Sequence, residues 1–576
     1  MNMSKNQVKS SVKIRAKLLF SLIISAALTV IWVLLPPPAT MKSKAQADFN
    51  VGGNRKMDGA NLTPFTPLPP GSLDPTFGIG GKVTTPILSN DVALAVAIQS
   101  DGKIVTAGYS ENGTSQEMAI VRYNANGTLD TAFGGNGKVT IPVAGTHSRA
   151  FAVAIQTDGK IVAAGDVGAP MGVVRLNPNG SLDAAFDGDG ILTVAFYNND
   201  LAHAVAIQPD GKIVIAGYSE APISFSALSS AKATRSSQKR FSPEFHTTDF
   251  AIARLNPDGS LDATFGNGGK VLTGLALGDV AYGIVIQPDG KIVAAGETFD
   301  FETDCIALVR YNANGSLDPS FANLGAAVTC SEFVPYAATS VTLQPDGKIV
   351  AAGISGGIDE NSGYDFALAR FTSDGLLDNS FSDDGKLTTE ISQADDECWA
   401  VAIQSNGKIL AAGFTYDAQH SNFALARYNP SGSLDTSFDS DGKVTTDFSK
   451  GGDWAFGLGI QPDGLIVTTG RASSADGTTD FAVARYFGDA TAPLVSVGGR
   501  VTTPDGRGLR NAIVALTDPL GVRRTATTSS FGIFMFDNVA TSETYVIGVS
   551  SKRYRFASRN LMVNGSLTDV DFVGLE

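Results

Sequence analysis

One phrase recurs seven times along the chain, and it limits the possible folds more than any other feature. AVAIQSDGKIVTAG starts at Ala95, AVAIQTDGKIVAAG at Ala152 and AVAIQPDGKIVIAG at Ala204. GIVIQPDGKIVAAG starts at Gly283, SVTLQPDGKIVAAG at Ser340, AVAIQSNGKILAAG at Ala400 and GLGIQPDGLIVTTG at Gly457. Each copy leads into a second phrase such as FALARYN, and a third phrase resembling GSLDPTFGIGGKVTT accompanies the set. Self-similarity at this period signals a repeat architecture. Within a unit, Ala-Val-Ala-Ile-Gln alternates small and branched apolar residues as a strand does. The x-Asp-Gly-Lys after it is a tight turn in which Gly supplies the positive φ. Lys-Ile-Val-Ala-Ala-Gly, Phe-Ala-Leu-Ala-Arg-Tyr and Gly-Lys-Val-Thr-Thr give three further strands. Four short antiparallel strands per unit predict an all-β fold, a seven-bladed β-propeller of four-stranded blades.

The ends of the repeat region predict how the ring closes. Each Arg of the third strand precedes, by eight residues, the Asp of a Leu-Asp pair, as in Arg122–Asp130 and Arg427–Asp435. Arg485 lacks a following partner, and Asp74 lacks a preceding one. The piece 71–85 is therefore expected to complete the last repeat, with Val83–Thr85 beside Phe481–Tyr486. Such pairing removes two exposed sheet edges.

These units resemble the delta-60 repeat, a bacterial family predicted to form β-propellers. QPDGKIVAAG, FALARYNPSGSLDTSF and DGKVTT carry the resemblance over roughly 71–488. It implies architecture and no catalytic motif. After residue 489 the texture changes to Val497-Gly-Gly-Arg-Val, Ala512-Ile-Val-Ala-Leu, Phe531-Gly-Ile-Phe-Met-Phe and Tyr545-Val-Ile-Gly-Val. That pattern resembles the carboxypeptidase regulatory-like domain, which implies a small transthyretin-like β-sandwich and no peptidase activity. Ser530-Phe531-Gly532 stands where that family usually has Asp-Gly. The expected layout is a signal peptide or N-terminal anchor at 1–47, a linker at 48–70 and the propeller at 71–488 with an insertion at 219–248. A second linker at 489–494 leads to the sandwich at 495–576.

Residues 1–47 hold seven Lys/Arg and no Asp/Glu, with an uncharged apolar run from Leu18 to Leu35 and a small-x-small site at Ala45-Gln46-Ala47. This reads as an export signal, cleaved or retained as an anchor. The protein is expected to be secreted or held at the cell envelope, and to meet a membrane only through that segment. The remaining chain carries a net charge of −21. So acidic a body repels phosphate backbones, which excludes nucleic acid as a partner class. The expected state is monomeric.

Strand alternation sorts the loops into two faces. One holds the Asp-Gly turns and the Ser-Leu-Asp connections and is nearly uniform. The other holds segments as different as SENGTSQE, ETFDFETD and TYDAQHSN. Variety among uniform repeats suggests either a recognition surface or unconstrained loops. On the varied face an acid recurs eight residues before the repeat Gln: Asp91, Asp200, Asp279, Asp396 and Asp453. Five such acids could form a partial ring for a hard cation such as Ca2+, or could satisfy backbone donors in a turn. Asp395, Glu397, Asp359, Glu360 and Asp365 thicken the cluster in one neighbourhood. His203, with Asp200 close in sequence and His147 in the previous unit, is the only conceivable acid–base couple. Cys305 and Cys330 fall opposite each other if their strands pair, within disulfide reach; Cys398 is left over. The basic insertion, with Lys232, Arg235, Lys239 and Arg240, is either a docking loop or a disordered insert.

The function expected from these features is a non-catalytic, exported scaffold that binds a glycan or surface protein through its varied face. The alternatives are an envelope polysaccharide lyase or hydrolase using the acid ring, and a purely structural surface protein. No nucleophile elbow, zinc-binding His motif or phosphate loop is present.

Overall fold

The computed structural model describes residues 68–575 apart from 143–146, 169, 223–245, 300–303, 331–335, 357–362, 418–419, 449–450, 475–476, 490–493, 518–522, 541–542 and 564–565. The export segment, most of the 48–70 linker, the four basic residues of the insertion, Asp359 and Glu360 lie outside the described residues.

The described residues are all-β and contain no α-helix. In the first full unit Asp91–Ile98, Ile104–Glu111, Gln116–Tyr123 and Lys138–Ile141 pair antiparallel in chain order. The same four-stranded order recurs along the chain; two copies, 198–273 and 278–330, join into one eight-stranded sheet through a single parallel pairing of Thr248 with Gly278. One sheet departs from chain order. It runs Trp454–Ile460, Ile466–Ser473, Thr479–Tyr486 and then back to Lys82–Thr85, with Val83 opposite Val483 and Thr85 opposite Phe481. The first strands lie against one another from unit to unit, so that Asp91–Ile98 touches both Ser148–Ile155 and Trp454–Ile460. The fourth strand sits at the opposite edge of its sheet.

A repeated ionic girdle joins the units on the uniform face. Arg122 Nε meets Asp130 Oδ2 at 2.8 Å, and its Nη1 donates to the Pro178 carbonyl of the next unit at 2.5 Å. The guanidinium lies over Phe133 at 4.7 Å, and Lys103 Nζ reaches the same Asp130 at 3.4 Å. Arg310 repeats the pattern with Asp318 at 2.8 Å, Phe321 at 4.6 Å and the Ser373 carbonyl at 2.6 Å. Arg485 finds its acid in Asp74 at 2.6 Å, its ring in Phe77 at 4.7 Å and its carbonyl in Ala125. In the last four units the repeat Gln joins the girdle: Gln287, Gln344 and Gln404 accept from their Arg, and Gln461 Oε1 accepts from Arg485 at 3.2 Å while its Nε2 donates to Gly102 O at 2.7 Å. Buried Tyr–Thr bonds tie third strands to fourth strands of the preceding sheet, as from Tyr311 to Thr273 at 2.9 Å. Tyr123 donates in the same way to Thr85 at 2.8 Å, so Lys82–Thr85 takes the place of a fourth strand.

A β-bulge stands at the same place in every first strand, and it explains one invariant glycine. Ala93 and Ala95 face Gly108 and Ala107, leaving Leu94 unpaired. Phe151, His203, Tyr282, Thr339, Trp399 and Phe456 occupy the equivalent bulge positions. The bulge drives the carbonyl two residues before it onto the final glycine of Ala-Ala-Gly. A Cβ on Gly108 would lie 1.9 Å from Val92 O, and one on Gly413 1.8 Å from Glu397 O. No side chain fits there, so glycine is required in each copy for close approach.

Cys305 and Cys330 are opposite in register on Asp304–Tyr311 and Ala326–Cys330, and they are bonded to each other. The C-terminal domain has two sheets. Ile533–Ala540, Leu494–Thr502 and Phe572–Val573 form one; Arg523–Thr527, Ile513–Thr517, Glu543–Ser550 and Arg559–Val563 form the other. Val497, Val514, Phe534, Ile547 and Phe572 fill the space between them.

Candidate functional site

The recurring aspartates are turned inward. Asp91, Asp279, Asp396 and Asp453 are fully buried and Asp200 is 2% exposed. Each accepts from backbone N–H groups of the loop just before it. Asp91 takes Ile87 at 2.6 Å and Leu88 at 3.2 Å, with the Ser110 hydroxyl as a further donor. Asp279 takes Leu275 at 2.6 Å, Ala276 at 3.1 Å and Thr298 Oγ1 at 2.5 Å. Asp200 takes Phe196 at 2.6 Å, Asp396 takes Ile391 at 2.6 Å, and Asp453 takes Phe448 at 2.7 Å. Burial raises the Asp279 and Asp396 carboxyls above the ordinary value despite these donors. Of the two readings the sequence leaves open, a cation ring or turn chemistry, these bonds fit the second: the carboxylates lock the loops that precede the first strands. Among the described residues, no group of three or more His, Cys, Asp or Glu side chains is placed to share a metal.

His203 lies apart from Asp200, at a bulge of the first strand. Its ring lies 4.9 Å from Tyr282, 5.2 Å from Phe151 and 5.9 Å from Tyr218. Burial among these rings, with the charge of Arg149, pushes its pKa down to about 3. A neutral imidazole in an aromatic nest is no partner for the Asp200 carboxylate, which faces its own loop. His147 Nδ1 accepts from the Gln116 N–H at 3.1 Å. Asp200 does border one open cleft of about 500 Å³, alongside Tyr197, Asn199 and Glu220. Cys398 is buried and unbonded, and burial pushes its thiol up to about 12.

What the first strands present instead is a set of varied side chains at the bulge and two residues before it. The bulge re-aims these positions away from the regular alternation. Two aromatic arcs result. Phe151, His203 and Tyr282 form one. The other is larger: Trp399 lies 5.6 Å from Phe456, Phe456 lies 6.2 Å from Trp454, and Phe414 stacks on Trp454 at 4.9 Å with planes 14° apart. Trp399 Nε1 donates to Glu397 Oε2 at 3.2 Å, and Trp454 Nε1 donates to Ser421 Oγ at 2.6 Å. Trp399, Trp454 and Phe456 stay half-buried.

Charge in the two arcs is managed differently. Arg149 lies over Phe151 and pairs with Asp166, its Nε at 2.9 Å and Nη2 at 2.5 Å from Oδ2. Arg471 lies over Trp454 with its guanidinium 3.7 Å from the ring centroid, and its buried Nε has no hydrogen-bond partner. Burial lowers its pKa, against the nearby Tyr109, Tyr416 and Asp453. Glu397, buried beside Trp399 and close to Asp395, is pushed up to about 7. Reasoning from the sequence missed Arg471, Trp454 and Trp399, and named Glu397 only as part of an acidic cluster. The signal for them was the invariant glycine at the end of Ala-Ala-Gly, which marks the bulge opposite.

The model of a β-propeller domain of unknown function (DUF5122) matches residues 99–133, 156–186, 208–223, 244–265, 287–321, 344–381, 404–438 and 461–490. The carboxypeptidase regulatory-like domain matches 496–573. No curated protein matches the chain. Among solved structures, a protein of unknown function from Dyadobacter fermentans is 11% identical, covering 71% of this chain and 100% of that one, with a TM-score of 0.35. YCF48 bound to D1 peptide is 12% identical over 72% and 96% of the two chains, with a TM-score of 0.37. The polysaccharide lyase Uly1 is 9% identical over 69% and 90%, also with a TM-score of 0.37. Likenesses this distant carry no functional argument. The chain thus carries a DUF5122 β-propeller repeat domain and a C-terminal carboxypeptidase regulatory-like domain.

Proposed function

We propose that this protein is an exported, non-catalytic propeller of seven blades, closed by Lys82–Thr85, that binds a glycan or protein of a cell surface through its varied face. One observation carries the binding reading. A single repeated device, the bulge with its glycine, holds the backbone constant while the side chain it presents changes from unit to unit. Leu94, Phe151, His203, Tyr282, Thr339, Trp399 and Phe456 fill seven equivalent positions. Half-buried aromatic rings with a few polar groups are what recognition sites are made of. The seven-bladed ring is supported by the return of Asp74 and Thr85 to partners that every other unit finds within the repeat. The sandwich serves as a spacer or second contact.

Binding of the full chain to immobilised surface polysaccharides and surface proteins tests this reading. Trp399→Ala and Phe456→Ala are each expected to weaken binding about tenfold or more. Asp289→Asn, which places on the uniform face the residue already found at Asn406, is expected to leave it unchanged. Equal loss from both faces, or binding untouched by the aromatic substitutions, would overturn the assignment of the face.

A further inference from the structure

Arg149 and Arg471 are two half-buried cations among the same kind of rings, and their surroundings differ in one respect. Arg149 faces Asp166 across its strand pair and is bonded to it through two nitrogens. Arg471 faces Trp454 in the corresponding register, so an indole stands where a countercharge could have been. Among the described residues it makes no ion pair, and its Nε is buried without a hydrogen-bond partner. Asp453 acts on this guanidinium only from a distance. Without a directly bonded counterion a charge held partly out of water is costly, and the cost is relieved by an anion able to accept from its planar donor edge. Arginine is suited to this because its flat face stacks on the indole while its edge stays free for a carboxylate.

The surface beside Arg471 limits what that anion can be attached to. Trp399, Phe456 and Trp454 form a continuous group of rings, and both indole N–H groups are already bonded within the protein. The ligand is therefore offered apolar ring surface next to one charge-assisted donor. A sugar ring bearing a carboxylate has that combination, with an apolar C–H face and a planar acid at its edge. Resting on the binding role argued above, we propose that Arg471 recognises the carboxylate of an acidic sugar unit stacked against Trp399 and Phe456, with Trp454, held between Phe414 and Arg471, fixing the guanidinium in place. The partner is accordingly an acidic polysaccharide, not a neutral one.

Two of the chain's three tryptophans lie in this site, so intrinsic fluorescence of the full chain reports on it directly. The probes are a uronic-acid disaccharide and its neutral glucose counterpart, titrated at low and high salt. The native chain is expected to prefer the acidic probe about tenfold or more, with the preference shrinking as salt rises. Arg471→Gln is expected to abolish that preference, and Arg471→Lys to restore only part of it, because lysine lacks the planar fork. Arg471→Met checks the fold: removal of an unpaired half-buried charge is expected to leave the melting temperature unchanged or raised. Equal binding of both probes, with Arg471→Gln harmless, would overturn this inference while leaving a glycan-binding face in place. Binding of neither probe by the native chain, with a surface protein retained through Trp399, would overturn the sugar and keep the face. Loss of all binding in Trp399→Ala and Arg471→Gln alike, with no difference between probes, would also count against the carboxylate.

Discussion

The two faces of the repeat are built from the same strands, yet they treat charge in opposite ways. On the uniform face every third-strand Arg has an acid and a ring, and all but Arg427 donate to a carbonyl of the neighbouring unit, as Arg310 does with Asp318, Phe321 and Ser373. Arg427 instead meets Asp489 at 3.1 Å. Those contacts are internal and each Arg has its acid, although Arg427 Nε and Arg485 Nε are buried without a hydrogen bond. On the varied face Arg471 rests on Trp454 without an ion pair, Asp453 acting on it only from a distance, and Glu397 is buried beside Trp399 with its pKa pushed up to about 7. The difference teaches where stability and recognition are separated. The girdle fixes the units to one another at one end of the strands, which leaves the other end free to hold groups that do not satisfy each other. The bulge is the boundary between the two regimes.

The sharpest way to break this contrast is at Asp74. It is 2% exposed and supplies the acid for Arg485 from the other end of the repeat region. Asp74→Ala leaves a buried guanidinium without its charge partner, and about 3–5 kcal/mol of stability is expected to be lost. Chemical denaturation of the full chain measures it. A loss below about 1 kcal/mol would mean that the girdle does not hold the first and last repeat elements together.

A smaller effect is expected from the bulge glycine. Gly413→Ala places a methyl 1.8 Å from Glu397 O, so the first strand must shift, at about 3 kcal/mol. The turn residue Gly407 has φ of 82° and open space, its nearest neighbour being Pro430 Cγ at 3.6 Å. Gly407→Ala is expected to cost about 1–2 kcal/mol, from conformation alone. Only the first substitution is expected to change the fluorescence of Trp399. If Gly407→Ala costs more, the glycine of Ala-Ala-Gly is not there to admit the bulge.

The same contrast explains what could be read in the sequence. The Arg122–Asp130 spacing, the stranded partners Arg485 and Asp74, and the opposed Cys305 and Cys330 follow from repetition and register, which sequence displays directly. Asp91, Asp200, Asp279, Asp396 and Asp453 also repeat, and for that reason suggested a shared ligand. Repetition in fact marked a shared structural need, the loop amides that each carboxylate accepts from. Unbonded buried oxygens recur at Gln99, Gln156 and Gln208, whereas the charged and aromatic groups of the varied face do not repeat. Arg471, Trp399 and Trp454 differ from their counterparts in other units, and the bulge moves them out of the simple alternation by which strand faces are assigned. Neither the alternation nor the repeat could bring them together before the register was known.

The gentlest expected effect is in pH dependence, where the two faces titrate in opposite senses. For Asp378 and Asp435 burial acts upward, but bonds from Ser380 and Lys348, and from Ser437 and Lys408, outweigh it and hold both near 2. These lie below the unfolded carboxyl value of about 4, so their contribution is present above that pH and is lost as pH falls toward 2. On the varied face burial, with neighbouring acids, raises Asp249 and Asp365 to about 6 and Glu397 to about 7. Here the folded state holds its protons more tightly than the unfolded chain, so stability declines as pH rises from about 4 through 7. The melting temperature of the native chain is therefore expected to be highest on the acid side of neutrality. Glu397→Gln removes the largest of these groups while keeping an acceptor for Trp399 and lifting the repulsion from Asp395. The variant is expected to match the native protein near pH 5 and to melt higher at pH 8, by a few degrees at most. Parallel curves for the two proteins would show that Glu397 titrates like an ordinary carboxylate, and the varied face would then store no unmet charge at that position.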